Sequence, residues 1–305
     1  MSAPVRVTES GVYDLPAEVY HADPVPGGSL SHSGARLLLP PNCPALFDYW
    51  RRNGRPPKAE YDFGHGAHAE VLGVGAPIKV VDAKDWRTKA AREAKEAAYA
   101  AGETPLLAYE YEQVQAMAAA LRHHPVASIL FQPGTGQAEQ SLFWHDAEFA
   151  VWRRAMLDWL NPALVNAAGG LLVADYKSTT SVEPSHLAKA MDEYGYARQG
   201  AWYLDLVEAL GLSPQGPPTF LLVFQQKTAP YLIAVAQPDP ESIQWGRVLN
   251  RKALDVYRRC HESGHWPAYG DDVISLSLPV WTQRRLEASW ERGDLDITTP
   301  EGVLA

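Results

Sequence analysis

Apolar positions in the middle of the chain fall into short, bounded runs. Val151-Trp-Arg-Arg-Ala-Met-Leu-Asp-Trp-Leu160 is branched and aromatic and predicts a strand. Asn161, Pro162 and an Ala/Gly-rich turn ending at Gly169-Gly170 separate it from a second predicted strand, Leu171-Leu-Val-Ala-Asp-Tyr-Lys177. A third precedes them at Glu139–His145, with a turn near Asp146, and two more follow at Phe220–Gln226 and Tyr231–Ala236. Elsewhere the apolar period lengthens to that of a helix. Such stretches are Ser29–Leu39, with N-cap candidates Ser31 and Ser33 and a stop at Pro40-Pro41, then Pro44–Arg52, Asp62–Leu72 and Tyr109–His123. Residues 84–101 alternate Lys, Arg, Glu and Ala and predict a solvated helix. A helical stretch opens after Pro184 and includes Tyr196–Tyr203. Another, Glu241–Cys260, carries an expected apolar stripe at Trp245, Val248, Leu249, Val256 and Cys260, and a last helix is expected over Trp281–Arg292. Residues 1–28, rich in Pro and Gly, predict an extended arm.

This order implies an α/β fold, a mixed central β-sheet flanked by helices, with an N-terminal helical extension. The expected organisation is a single domain over 1–305: arm and first helices over 1–60, a core over 61–260 and a tail over 261–305. At 305 residues the chain can bury a substantial core, and 46% apolar with 21% charged residues is ordinary for a globular protein. No apolar run reaches the length of a membrane span, and the first residues carry no signal-peptide apolar region. The two cysteines, Cys43 and Cys260, supply neither a disulfide framework nor the four thiolates of an iron–sulfur cluster. A cytoplasmic protein without membrane attachment is therefore expected.

The net charge of −9 weighs against nucleic acid as a partner, yet local basic groups remain. Arg51, Arg52, Arg55 and Lys58 cluster in one predicted loop, and Arg153 and Arg154 stand together on the first central strand. An acidic protein can still present one basic channel, with Arg51, Arg52, Arg55 and Arg154 as candidate DNA contacts. No GxGxxG follows a strand and no Walker lysine loop occurs, so nucleotide-driven activities lack support.

Candidate chemistry centres on the two middle strands. Successive strand side chains alternate, so Asp175 and Lys177 share a face and Tyr176 points away. If the strands pair, Asp158 comes beside Asp175. Two carboxylates at one point repel unless a cation neutralises them, and a hard divalent ion such as Mg²⁺ suits their oxygens. A lysine ammonium beside them can hold water or stabilise a phosphate in transfer. Glu139 can face this point from the preceding strand. His65 and His68, three apart on a helix, could instead bind zinc, although no His-Glu-x-x-His pattern or third ligand spacing accompanies them. Tyr196, Gln199 and Tyr203 fall on one helical face, and a glutamine is an unusual choice for an apolar seam.

In order along the chain, Gly64-His-Gly-Ala-His68, Arg154-Ala-Met-Leu-Asp158, Asp175-Tyr-Lys177 and Tyr196-x-x-Gln199-x-x-x-Tyr203 resemble the motifs of the PD-(D/E)xK nuclease superfamily. The likeness is to its RecB-like branch and the RecE-type exonucleases of phage recombination. Tyr20–Asp23, Leu30–Ser33 and Pro44–Phe47 add to it. The resemblance implies that His68, Asp158, Asp175 and the Tyr176 carbonyl hold Mg²⁺ or Mn²⁺, with Lys177 as the catalytic lysine. It also implies that Gln199, Tyr196 and Tyr203 support the site or position DNA. Leu157 stands where many members have proline, a position that does not touch the chemistry. The implied activity is an exonuclease acting on double-stranded DNA ends as a homo-oligomer, with a single-strand annealing protein as partner. The rival readings are an endonuclease on the same fold, a DNA-binding or scaffold module with a vestigial site, and a zinc hydrolase.

Overall fold

A computed structural model describes residues 5–54, 62–270 and 272–295. These divide into a compact unit, Met1–Trp266, and a smaller one, Pro267–Ala305.

The larger unit is built on a mixed sheet. Its middle strands are β5 (Gln137–Asp146), β6 (Val151–Leu160) and β7 (Leu172–Thr179), joined antiparallel. Strand β8 (Thr219–Gln226) runs parallel to β7, and β9 (Ile233–Ala236) closes that edge antiparallel to β8. The strands form where apolar residues alternate. On β8, Phe220, Leu222 and Phe224 enter one core while Val223 enters the other. The expected mixed sheet flanked by helices is the observed architecture.

The first 31 residues depart from expectation. Within the described part of the arm, Gly11–Tyr13 forms β1 and pairs antiparallel with β5, and α1 (Ala17–His21) follows. Leu30 and Ser31, which lead into the expected helix with Ser31 as a cap candidate, also form a short strand β2, parallel to β6 at Arg153 and Arg154. The helix begins one residue later as α2 (His32–Leu37), capped by Ser31 Oγ, which accepts from Gly34 N at 3.2 Å. An unpaired sheet edge is costly, and the arm satisfies part of it.

Helices cover both faces. On one lie α2, α3 (Pro44–Asn53), α8 (Pro184–Tyr194), α9 (Tyr196–Ala209) and α10 (Pro240–Ser263), around Trp202, Leu206, Phe220 and Leu254. On the other lie α4 (Asp62–Leu72), α6 (Ala108–His123) and α7 (Ala127–Leu130), around Met117, Val114 and Tyr176. A two-stranded parallel sheet, β3 (Ile78–Val81) and β4 (Thr104–Leu107), brackets α5 (Lys89–Ala100). Neither strand was expected: β3 is mostly exposed, and β4 contains Pro105 and is buried throughout, so neither shows alternation.

One further expectation is corrected. Trp245, Val248 and Leu249 do not form the buried stripe of α10. They are exposed, and the buried face is Ile243, Gly246, Asn250, Ala253, Leu254, Tyr257 and Cys260. Asp62 opens α4 but is buried, accepting from Tyr99 Oη at 2.6 Å and pairing with Lys95 at 3.0 Å. In the smaller unit, α11 (Val280–Glu291) buries none of its residues. Among the described residues no helix is long and apolar enough to cross a membrane.

Candidate active site

The site lies where β6 forks. On its edge away from β5, β6 pairs with β2 at Arg153 and Arg154 and with β7 at Trp159, opposite Ala174. One step further along that antiparallel register, Asp158 faces Asp175. Side chains replace ladder bonds in the fork. Asp158 Oδ2 accepts from Tyr176 N at 2.7 Å, and Trp202 Nε1 donates to the Arg154 carbonyl at 2.9 Å. The expected neighbourhood of Asp158 and Asp175 is therefore present, and it depends on the strands separating there.

Groups from both faces converge on the fork. From α4, His68 Nε2 stands 3.1 Å from Asp158 Oδ1. From α9, Gln199 Nε2 donates to Asp175 Oδ1 at 2.7 Å and to Tyr203 Oη at 3.1 Å, which fixes the amide's orientation. Lys177 Nζ lies 2.5 Å from Asp175 Oδ2 and 5.5 Å from the centre of the Tyr196 ring. From β5, Glu139 Oε1 lies 3.8 Å from His68 Nδ1. Glu139 has φ of 49°, a left-handed backbone uncommon for a residue with a side chain, at the position opposite Asp158 in the β5–β6 register.

The two aspartates are shifted in opposite directions. For Asp158, burial raises the pKa, but the His68 imidazolium, Lys177 and the Tyr176 N–H together hold it below the usual carboxylate value. Asp175 is 1% exposed, and burial, reinforced by the Asp158 charge, outweighs Lys177 and pushes it up to about 6. Burial works against the charge on Lys177, yet Asp175 and Asp158 hold its pKa above the normal lysine value. His68 is likewise raised: burial opposes its charge and Asp158 prevails.

Among the described residues, no three His, Cys, Asp or Glu side chains are arranged to hold a metal ion as they stand. His68 is turned onto Asp158, and Lys177 onto Asp175. The donor chemistry nevertheless fits a hard divalent cation, which takes carboxylate and carbonyl oxygens. Asp175 Oδ2 is buried, and its partner is the Lys177 ammonium. Two buried carboxylates side by side form a pair whose charge a divalent cation would neutralise.

Two cavities meet at Lys177. One of about 940 Å³ is lined by His65, His68, Glu139, Tyr176, His186, Lys189 and Lys227 among others. The other, of about 330 Å³, is lined by Ser31, Arg36, Arg154, Gln199 and Tyr203 among others. Lys177, Tyr194 and Tyr196 border both. Arg154, proposed from sequence as a DNA contact, reaches the smaller cavity but is also paired with Asp23 at 2.5 Å and Ser29 Oγ at 2.8 Å. Arg51 and Arg52 sit on α3, each 2.8 Å from Asp48, and Arg55 and Lys58 lie outside the described residues. Sequence reasoning missed Arg36, Tyr194, His186, Lys189 and Lys227. The one local signal was the pair of tyrosines around Gly195, since the others lie on ordinary helices and strand ends.

No curated protein matches the sequence. Among solved structures, the chain is similar to one described as "Putative exonuclease" from Eubacterium rectale. That likeness has a TM-score of 0.56 and 13% identity and covers 89% of this chain and 98% of that one, a likeness of fold. A family model, "PDDEXK-like domain of unknown function (DUF3799)", matches residues 68–276, from His68 through the fork and the Gln199 helix. That match spans well over half of the sequence, and the chain belongs to this PDDEXK-like family.

Proposed function

We propose that the chain is a divalent-metal-dependent exonuclease that hydrolyses phosphodiester bonds of linear duplex DNA from its ends. The observation that carries this reading is the meeting of Asp158, Asp175 and Lys177 in the β6–β7 fork, with Gln199 holding Asp175. Family membership supports a nuclease, and the exonuclease description of the structural neighbour favours action at ends. Asp158, Asp175, His68 and the Tyr176 carbonyl are the groups that would hold Mg²⁺ or Mn²⁺. When bound, the ion would supply Lewis-acid polarisation of the phosphate and a more acidic water.

The chain's own residues account for the rest. Lys177 presents an ammonium at the junction of the two cavities, where it can hold the attacking water or offset charge on the phosphoryl oxygens. Gln199, anchored by Tyr203, fixes the carboxylate of Asp175. Arg36 and Arg154 around the smaller cavity, and Lys189 and Lys227 around the larger, provide cations for flanking phosphates. A role in phage recombination or repair, supplying single strands to an annealing protein, follows from the resemblance of the motifs. So does a homo-oligomer that retains the DNA end.

The test uses end-labelled linear duplex and covalently closed circles, with Mg²⁺ or Mn²⁺, with Ca²⁺, and with EDTA. Progressive loss of linear DNA in Mg²⁺ or Mn²⁺, little turnover in Ca²⁺, none in EDTA and survival of circles are expected. Equal cutting of circles and linear DNA would leave an endonuclease on this fold. Undiminished cutting in EDTA would remove the metal.

A further inference from the structure

We propose that Tyr194 and Tyr196 form a stacking platform for an unpaired nucleobase, so that the strand is single-stranded where it meets Lys177. This rests on the nuclease reading and adds the form of the substrate to it.

The platform is built by a corner between two helices. Tyr194 ends α8 and Tyr196 begins α9, with Gly195 between them at φ 68° and ψ 39°. Residues with a Cβ rarely adopt this left-handed conformation, and here it turns two tyrosine rings to the same side. The rings stack, with centroids 5.6 Å apart and planes at 29°. Arg36 braces the corner from α2, donating from its guanidinium to the Glu193 carbonyl at 2.9 Å.

The two ends of the stack differ. Tyr196 is packed into the protein, with Phe224 at 5.7 Å and Lys177 Nζ 5.5 Å from its ring centre. Tyr194 is 49% exposed and belongs to none of the hydrophobic clusters, so its burial does not account for its place. An isolated exposed tyrosine needs no explanation. This one is different because it continues a stack that ends on the candidate catalytic lysine, at the rim shared by both cavities.

Stacking a base on an aromatic side chain is worth about 1–3 kcal/mol and tolerates any sequence, because every base has a π-face. A base inside a duplex already stacks on both neighbours, and the terminal pair offers a face only along the helix axis. A frayed or displaced nucleotide can turn its face onto Tyr194 while its strand continues along the shared rim toward Lys177. His186, Lys189 and Lys227 on the wall of the larger cavity suit the continuing backbone.

The experiment measures kcat/KM in Mg²⁺ on duplexes whose terminal nucleotides are unpaired. Each carries either normal bases or a tetrahydrofuran abasic residue in one of the last positions. Wild type, Tyr194→Leu and Tyr194→Phe are compared, with thermal unfolding confirming that each variant is folded. Wild type should lose about tenfold when the base at one position is removed, within the range of one lost stack. Tyr194→Leu should lose about tenfold on the normal substrate and nothing further on the abasic one, and Tyr194→Phe should behave as wild type. An equal abasic penalty in wild type and Tyr194→Leu, or none in wild type, would overturn the platform and leave the nuclease intact. Absence of cleavage of every DNA in Mg²⁺ and Mn²⁺ would remove the nuclease reading and this inference with it.

Discussion

At the scale of the residue, the separation of roles between Asp158, Asp175 and Lys177 gives the sharpest expectations. Lys177 is not a predicted metal ligand, so Lys177→Ala should leave Mn²⁺ affinity and DNA binding nearly unchanged. It should lower single-turnover cleavage by about a hundredfold or more, the scale of losing one electrostatic stabiliser. Asp158→Ala and Asp175→Ala should instead lose Mn²⁺ binding by calorimetry as well as cleavage. Full Mn²⁺ affinity in both aspartate variants would show that the ligands have been misassigned. His32, at the start of α2, makes a separate prediction. Burial, with Arg198, Arg36 and Lys177 nearby, lowers its pKa to about 3, and its Nε2 is buried without a hydrogen-bond partner. The unfolded chain takes up a proton near pH 6.5 and the folded protein resists it, so His32 costs stability as pH falls below that value. Between pH 7.5 and 5.5, wild type should lose on the order of 1 kcal/mol more than His32→Gln in urea unfolding. Parallel pH profiles for the two proteins would contradict it.

At the scale of the element, the fork between β6 and β7 and the close seating of α9 on the sheet make the site. Helix α9 carries Gln199 and Tyr203 to Asp175 and can approach because position 200 is glycine. A Cβ there would lie 2.5 Å from Phe220 Cδ1 and 3.1 Å from Ile243 Cδ1. The Phe220 ring is 2% exposed and has little room to yield. Gly200→Ala should therefore cost about 1–3 kcal/mol, the usual penalty of overpacking, and lower Tm by several degrees in calorimetry. It should also lower cleavage by moving Gln199 away from Asp175. An unchanged Tm would mean that α9 shifts freely on the sheet, and Gln199 would then be a poor anchor for the carboxylate.

At the scale of the whole molecule, the acidic balance of the chain has to be reconciled with a polyanionic substrate. On the proposed function, the net charge of −9 would repel DNA at long range, and binding would depend on cations gathered locally at the two cavities. The affinity for duplex ends, measured in Ca²⁺, should fall linearly in a log–log plot against salt, at about 0.9 per phosphate neutralised. With an acidic balance overall, retaining a DNA end would be aided by several copies around it, and light scattering should give a mass that is a multiple, twofold or more, of 33.6 kDa. A monomer with a flat salt response would remove both the channel and the oligomer.

Much of this was legible in the sequence because it depends on local period and on chemistry carried by single residues. Alternation on β7 placed Asp175 and Lys177 on one face, Pro184 marked the start of α8, and the glutamine among aromatic residues identified α9 as more than core. Where long-range pairing decided the outcome, the sequence was silent or misleading. Ser31 caps α2 as its residue type suggested, but nothing local showed that Leu30 and Ser31 would also pair with β6, and the apolar half-turn at Trp245, Val248 and Leu249 is exposed because packing against α9 selects the small Gly246 and Ala253 face of α10. The fork itself has no sequence signature: it exists because β2 and β7 divide one edge of β6, leaving Asp158 to bond the Tyr176 amide in place of a strand. The sequence by itself thus determined which residues are candidates for the chemistry and which share a strand face, since side-chain type and period are local properties. Only the tertiary structure brought His68 from one layer and Gln199 from the other to the same two carboxylates, because that depends on how the layers close over the sheet.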